Sequence, residues 1–401
     1  MHRIVIVGAG PAGTRAADRL AGRGFAVTLV GAEPEAPYDR VALSKFLAGE
    51  ISEADLMTHE TGSLKQSGVT HRSGTKVIAI DREQSRVWTD NRGAIGYDRL
   101  VLALGSTPVR LPFPGADLPG VVMYRTLDDV RRMIGTAAAR GHAVVIGGGL
   151  LGLEAAYGLA MRGMKVFVLH AVDRLMERQL DHAAANLLAQ RLARHDISVH
   201  LTAKTEAIVG DTFVTGVRLA DGTVLPADLV VMAVGIRPET ALGKAAGLGV
   251  RRGIVVDDTM ASSDPKILAI GECAEHDGVV CGLVAPAYAQ AEIAAWAIAG
   301  ALFGYKPETD ATALKVAGTG VWSAGEIDRP DAETIVYDDT ESGEYRKLLL
   351  RDDRLVGAML FGDTSDGPWY QSLITGARPL RATRAALPFG AAFAPALSIQ
   401  D

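Results

Sequence analysis

Apolar and polar positions along the chain fall into a recurring pattern. A short β-branched run ends in glycine and opens into a longer mixed segment. Ile4–Val7 is such a run, closed by Gly8. An uninterrupted apolar run of this length, bounded by glycine, predicts a strand buried on both faces of a parallel sheet. Thr14–Gly22 then predicts a helix, and Ala26–Val30 the next strand. The unit recurs downstream: Ala143–Ile146 reads as a strand, Leu153–Met161 as a helix and Lys165–Leu169 as a strand. Further buried strands are predicted within Asp98–Leu104 and Ala227–Val234, followed by Gly105-Ser106-Thr107-Pro108 and Gly235-Ile236-Arg237-Pro238. A third, within Ser263–Glu272, ends in the Glu272 carboxylate. Whole modules repeat here, not the short units of a solenoid. A helical run, Ala287–Phe303, carries an apolar stripe, and Trp296 on it is expected in the core. Beyond about 311, segments such as Glu344–Leu350 and Arg354–Phe361 read as a small antiparallel sheet with helices. Gly376–Asp401, rich in Ala, Pro and Arg, reads as an irregular tail.

Composition narrows the class. At about 150 residues per domain, 401 residues predict two to three domains. A net charge of −6 argues against a nucleic-acid or anionic-membrane binder. The N-terminus shows no charged region followed by a long apolar one, so no signal peptide is expected. The longest apolar stretch, Ala143–Met161, contains three consecutive glycines and Glu154, and reads as strand, turn and helix rather than a membrane span. A cytoplasmic location with reduced thiols is therefore expected. The two cysteines, Cys273 and Cys281, are too few for a cysteine-ligated iron–sulfur cluster or an all-cysteine zinc site. They are expected as small buried apolar residues. No His/Cys/Asp cluster has metal-ligand spacing, so no metal is expected, and His170 and His276 read as structural or cofactor-edge residues.

The 45 glycines are the informative excess. Gly8-Ala9-Gly10-Pro11-Ala12-Gly13 follows the first strand and opens the first helix. Gly147-Gly148-Gly149-Leu150-Leu151-Gly152 does the same in the second unit. In such a loop the first glycine allows the tight turn, the second lets the backbone approach a pyrophosphate, and the third lets helix and strand pack closely. The helix N-terminus attracts the anion. Two loops imply two dinucleotides, most economically FAD and a nicotinamide cofactor. An acid is expected at the end of each following strand to bind ribose hydroxyls. After the first, Glu33 is the nearest; after the second stands His170. The Glu272 carboxylate suits the ribityl hydroxyls of a flavin.

On these loops, the strand ends at Gly105 and Gly235, and Gly271-Glu272-Cys273-Ala274, the sequence resembles the two-dinucleotide-binding flavoprotein superfamily of pyridine-nucleotide reductases over residues 1 to about 310. The resemblance implies an α/β chain with two Rossmann-like dinucleotide-binding domains, the nicotinamide domain inserted into the flavin domain, and a small α+β C-terminal domain. The flavin domain would comprise 1–112 and 236–310, the nicotinamide domain 113–235, and the C-terminal interface or cap domain 311–401. It places Ala12, Lys45, Val77, Arg125, Glu272 and Ala285 around the flavin. Arg40, Ala103, Gly105, Gly235 and Gly271 complete the candidate cofactor-binding set with Pro11, Leu150, Leu151 and the loop glycines. The position that often holds an acid for the adenosine ribose is Ala32 here, with Glu33 as substitute.

A closer likeness rests on Leu175-Met176-Glu177-Arg178-Gln179-Leu180-Asp181 after His170, on Gly271–His276 and Gly282–Pro286, and on stretches through Gly362–Gly367. These resemble the N-terminal flavoprotein module of the large subunit of assimilatory NAD(P)H nitrite reductases and the related electron-transfer subunit of assimilatory nitrate reductase. The implied activity is an FAD-dependent NAD(P)H dehydrogenase. The implied catalytic residues are Lys45, beside the flavin, and its partner Glu154. NADH is favoured over NADPH from the family, although His170 lacks the usual selecting carboxylate and Arg174 lies within reach of a 2′-phosphate. No cysteine precedes Cys273, so a thiol relay at the position of Lys45 is not expected. Electrons would then pass to an iron–sulfur protein or a nitrate or nitrite reductase catalytic subunit on another chain. Because the sequence given ends at Asp401, nitrite reduction itself is expected elsewhere. The C-terminal region would form the partner or dimer surface. A general ferredoxin or rubredoxin reductase and a redox-sensing FAD-binding protein remain open alternatives.

Overall fold

The computed structural model describes residues 2–58, 63–301, 303–307, 311–339, 341–381 and 383–394. The chain divides into two compact units. One comprises Met1–Phe46, Ile51–Pro108 and Ile236–Pro307; the other comprises Leu47–Glu50, Val109–Gly235 and Glu308–Asp401.

The first unit is built on a parallel five-stranded sheet in the order Ile267–Ala269, Arg99–Leu102, Arg3–Val7, Ala26–Val30, Val69–Arg72. Ile4, Val5 and Ile6 are essentially inaccessible to solvent, as a central parallel strand requires. Helix Pro11–Leu20 follows the first strand and packs against helix Val284–Ile298. That second helix ends earlier than Phe303, and its buried face is Ala287, Gln290, Ala291, Ala294 and Ala295. Trp296 therefore does not join the core, contrary to expectation. An alanine-lined face draws a helix close to its neighbour and leaves no room for an indole, so the ring sits 39% exposed with the Arg23 guanidinium 4.9 Å from its centre.

Ser106–Pro108 and Ile236–Pro238 form an antiparallel ribbon, with Ser106 opposite Pro238. The chain leaves and re-enters the first unit through this ribbon, so the two similar strand-end sequences pair with each other. A local pattern cannot show that pairing.

The second unit holds a parallel sheet in the order Ile197–His200, Lys165–Leu169, His142–Ile146, Leu229–Met232, Val121–Met123. The two sheets share one arrangement. In each, the strand before the glycine loop is flanked by the next strand on one side and by a later strand on the other. That is the topological switch point at which doubly wound sheets bind dinucleotides.

The same unit contains a five-stranded antiparallel sheet in the order Ala311–Val316, Thr319–Gly325, Arg354–Gly362, Glu344–Arg351, Glu333–Asp339. Helix Gly367–Gly376 packs on it, with its own Tyr370 and Leu373 in one buried cluster with Trp322, Leu348 and Leu360 of the sheet. The tail is more ordered than its composition suggests. Arg384–Phe389 and Ala391–Phe393 form short 3-10 turns, Leu387 is buried, and the Tyr370 hydroxyl donates to its carbonyl at 2.5 Å. The last part of the tail, residues 395–401, lies outside the described residues. Among the described residues no helix is long and apolar enough to cross a membrane.

Candidate functional site

The two glycine loops have the same stereochemistry. Gly8 has φ +112°, and a Cβ there would fall 2.0 Å from the Ala103 carbonyl oxygen. A Cβ on Gly13 would fall 1.9 Å from the Gly8 oxygen. In the second loop Gly147 has φ +120° and a Cβ 2.3 Å from the Ala233 oxygen, and Gly152 a Cβ 2.0 Å from the Gly147 oxygen. These four glycines are demanded by the protein itself. Gly10 and Gly149 differ, because a Cβ at either would meet nothing within 4 Å. A side chain is excluded there only by something that occupies that space.

The helices behind the loops agree. Pro11–Leu20 and Leu150–Met161 start at N-cap glycines in extended conformation, with no side chain capping the first turn. Helices Leu127–Ala137 and His182–Ala193 are capped by Thr126 and Asp181. The open helix ends leave backbone N–H groups, with the positive end of the helix dipole, facing the cradle. Both loops thus fit a dinucleotide pyrophosphate.

Around the first loop the structure brings together Ala12, Ala103, Gly271, Glu33, Arg40 and Glu272. Ala12 approaches Gly271, where φ is +72° and a Cβ would lie 3.1 Å from that of Ala12. The Gly271 N–H donates to the buried Gln290 Oε1 at 2.7 Å, a partner the sequence did not announce. Glu272 accepts from the Ser106 hydroxyl at 2.7 Å. Glu33 accepts from Tyr38 at 2.6 Å and from Arg40 at 2.5 Å. Burial works against the Arg40 charge, but Tyr38, Glu33 and Glu272 outweigh it and hold its pKa above the ordinary value. Glu33, Arg40 and Glu272 thus form one charged series beside the loop. Val77 is buried at the start of an antiparallel meander, Ala103 ends the neighbouring strand, Gly105 takes φ +69° and Ala285 is exposed in the first turn of its helix. Lys45 is exposed on helix Leu43–Ala48.

Around the second loop, His170 is buried. Its Nδ1 accepts the Gly148 N–H at 3.1 Å, and its Nε2 faces the Glu177 carboxylate at 3.2 Å. A carboxylate is therefore present at this strand end, brought by a later segment. Arg174 donates to the carbonyls of Leu180 and Glu177 and faces Asp328 at 3.8 Å. Gly235 takes φ +111° in open space. Leu150 and Leu151 form the first turn of the loop's helix. Arg125 is half-buried, and its N–H donates to Asp129 at 3.0 Å.

Glu154 lies on helix Leu150–Met161 beyond the loop, and burial raises its pKa to about 7. Leu47, at the end of the short helix that carries Lys45, packs on Gly158 one turn further along, where a Cβ would fall 2.6 Å from Leu47 Cγ. Arg162 Nε donates to the Leu47 carbonyl at 2.8 Å. Cys273 is fully buried and its thiol donates to the carbonyls of Leu102 and Ile270. Burial pushes its pKa up to about 11. Cys281 is also buried, with Sγ 3.8 Å from Gln290 Oε1.

Known proteins share this architecture. The chain is 44% identical over 377 residues to the nitrite reductase [NAD(P)H] of Bacillus subtilis (strain 168), covering 93% of this chain and 47% of the relative. It is 42% identical over 371 residues to the assimilatory nitrate reductase electron transfer subunit of the same organism, covering 91% and 48%. The chain thus spans about half the length of these curated relatives. The putidaredoxin reductase–putidaredoxin covalent complex superposes with TM-score 0.86 at 28% identity, over 94% of each chain. Residues 311–377 match the rubredoxin NAD+ reductase C-terminal domain. Residues 2–298 match the pyridine nucleotide-disulphide oxidoreductases, and the chain belongs to that family, which implies FAD and NAD(P)H as its cofactors.

Proposed function

We propose that the chain is an FAD-dependent NAD(P)H dehydrogenase that passes electrons to an iron–sulfur partner, as the cytoplasmic electron-transfer component of assimilatory nitrate or nitrite reduction. The observation that carries this reading is the pair of equivalent open cradles, at Gly10 and Gly149, in a chain 42% identical to an assimilatory nitrate reductase electron transfer subunit. Residues 1–112 with 236–310 are assigned to the flavin, 113–235 to the nicotinamide dinucleotide, and 311–401 to the partner or dimer surface. The specific reading over a general ferredoxin or rubredoxin reductase rests on the higher identity to the nitrogen-assimilation relatives. The match of 311–377 and the putidaredoxin reductase likeness favour the second reading.

When bound, the flavin accepts a hydride and releases electrons one at a time. The chain's residues bind and orient. The first-turn N–H groups behind Gly10 and Gly149 hold the two pyrophosphates. Glu272, aimed by Ser106, and Glu33, braced by Tyr38 and Arg40, offer carboxylate oxygens to cofactor hydroxyls. Lys45 Nζ supplies positive charge beside the flavin, and Glu154 is its assigned acidic partner. NADH is the assigned donor, from the family resemblance.

The test is anaerobic. The purified chain should be yellow, bleach on mixing with NADH, and recover colour when an oxidised iron–sulfur component of a nitrate or nitrite reductase is supplied. Bleaching without transfer to any such component would overturn the leading reading, and transfer only to rubredoxin or a ferredoxin would establish the second. A colourless protein that takes up no FAD would refute the flavin assignment.

A further inference from the structure

The strand end that follows the second glycine loop carries His170 instead of an acid, yet the structure supplies a carboxylate there by another route. Segment 175–177 folds back over the loop. Met176 takes the left-handed conformation, φ +50°, and its N–H donates to the Gly148 carbonyl at 3.0 Å. Left-handed backbone is costly for a methionine and persists where the surroundings impose it. Leu175 and His170 both press on Gly148, where a Cβ would fall 2.7 Å from Leu175 Cδ2 and 2.8 Å from His170 Cγ. The turn delivers Glu177 next to His170.

The hydrogen bonds then fix the imidazole. A backbone N–H can only donate, so the Gly148 N–H requires the lone pair on His170 Nδ1. The ring proton therefore sits on Nε2 and points to Glu177 Oε2 at 3.2 Å. One Glu177 oxygen is thus held by a neutral donor that does not cancel its charge. The side chain is 41% exposed, which leaves its other lone pairs available. Arg174, the nearby cation suited to a 2′-phosphate, commits two of its five N–H donors to the carbonyls of Leu180 and Glu177 and faces Asp328 at 3.8 Å.

We propose that Glu177, positioned by His170, is the acid that binds the adenosine-ribose hydroxyls of the nicotinamide dinucleotide and excludes a 2′-phosphate. This rests on the assignment of the Gly147–Gly152 loop to that dinucleotide. An ionised carboxylate accepts from vicinal hydroxyls and repels a phosphate at the same place.

The test uses redox-inert probes on the flavin-loaded chain. ADP-ribose and 2′-phospho-ADP-ribose are titrated by calorimetry. The wild type is expected to bind ADP-ribose at least tenfold more tightly. Glu177→Gln should weaken ADP-ribose about tenfold, the loss of one charge-assisted hydrogen bond, and erase most of the preference. Glu177→Arg should invert it. His170→Ala should weaken ADP-ribose in the wild-type background but not in Glu177→Gln, a coupling that general loosening would not produce. His170→Asp combined with Glu177→Gln should restore the preference by returning an acid to the strand end. Unaltered preference in both Glu177 variants would overturn the proposal. A wild type that binds neither probe would instead refute the loop assignment beneath it.

Discussion

Tyr345 donates its hydroxyl to Asp181 at 2.8 Å, from a strand of the antiparallel C-terminal sheet to the N-cap of helix His182–Ala193. Asp181 also accepts the Ala184 N–H at 3.0 Å and faces Lys347 Nζ at 3.4 Å. Burial and the aspartate together hold the Tyr345 phenol above its ordinary pKa. One carboxylate thus caps a helix of the dinucleotide module and ties the C-terminal module to it. Removing it sacrifices a cap, about 1 kcal/mol, and hydrogen bonds to a charge, about 1.5–3 kcal/mol. Asp181→Ala is expected to lower the calorimetric transition by about 5 °C, with Asp181→Asn intermediate. An unshifted transition would show that the two modules do not depend on this link.

Which parts of this were readable in the sequence follows from range. The glycine loops were legible because strand, turn and helix lie within about a dozen residues, and Gly8, Gly10 and Gly13 have the same roles wherever they recur. Asp181 was singled out by motif alone, although Asp before His182-Ala183-Ala184 is a helix-start signal. Its bonds to Tyr345 and Lys347 are tertiary and leave no local trace. The same holds for Ser106 with Glu272, for Glu177 with His170, and for the ribbon joining Ser106 to Pro238. Trp296 was misplaced because an apolar stripe identifies a buried face but not how closely the helix packs.

Gly10 and Gly149 separate ligand space from protein space. Gly10→Ala should fold with the same transition as the flavin-free wild type but retain little flavin, since its Cβ meets nothing in the protein. Gly149→Ala should keep its yellow colour and lose most of its reduction by NADH at low donor concentration. Gly8→Ala and Gly147→Ala, which drive a Cβ into a carbonyl oxygen, should instead reduce soluble yield. Flavin absorbance, melting temperature and reduction rate distinguish the three classes. Full flavin occupancy in Gly10→Ala would sink the cradle assignment.

Cys273 should be inert. Its thiol is fully buried, bonded to two carbonyls, and raised by burial to about 11, so little thiolate exists at neutral pH. Iodoacetamide at pH 8 should leave it unmodified in the native protein by peptide mass spectrometry, and Cys273→Ala should leave NADH-dependent flavin reduction within twofold. Rapid alkylation coupled to loss of reduction would restore a thiol role.

On the proposed role of Lys45 as the cation beside the flavin, Lys45→Met should retain FAD and slow flavin reduction by NADH at least tenfold, because the charge is removed without removing any cradle. Stopped-flow absorbance measures this directly. An unchanged rate constant would remove Lys45 from the chemistry.

Glu154 gives the pH prediction. Burial raises its pKa in the folded chain to about 7, above the ordinary carboxylate value of 4.5. A raised folded pKa means that the native state holds its proton more tightly than the unfolded state. The resulting stability is fully present below about pH 4.5 and is lost as pH rises through 7. The penalty at pH 8 is roughly 3 kcal/mol for an unpaired group. Glu154→Gln, neutral at every pH, should therefore match the wild type near pH 4.5 and exceed it in stability by pH 8. The comparison is best made by urea denaturation of the flavin-free chain in parallel buffers. A difference between wild type and Glu154→Gln that stays constant from pH 4.5 to 8 would mean that the carboxyl is not held in its neutral form.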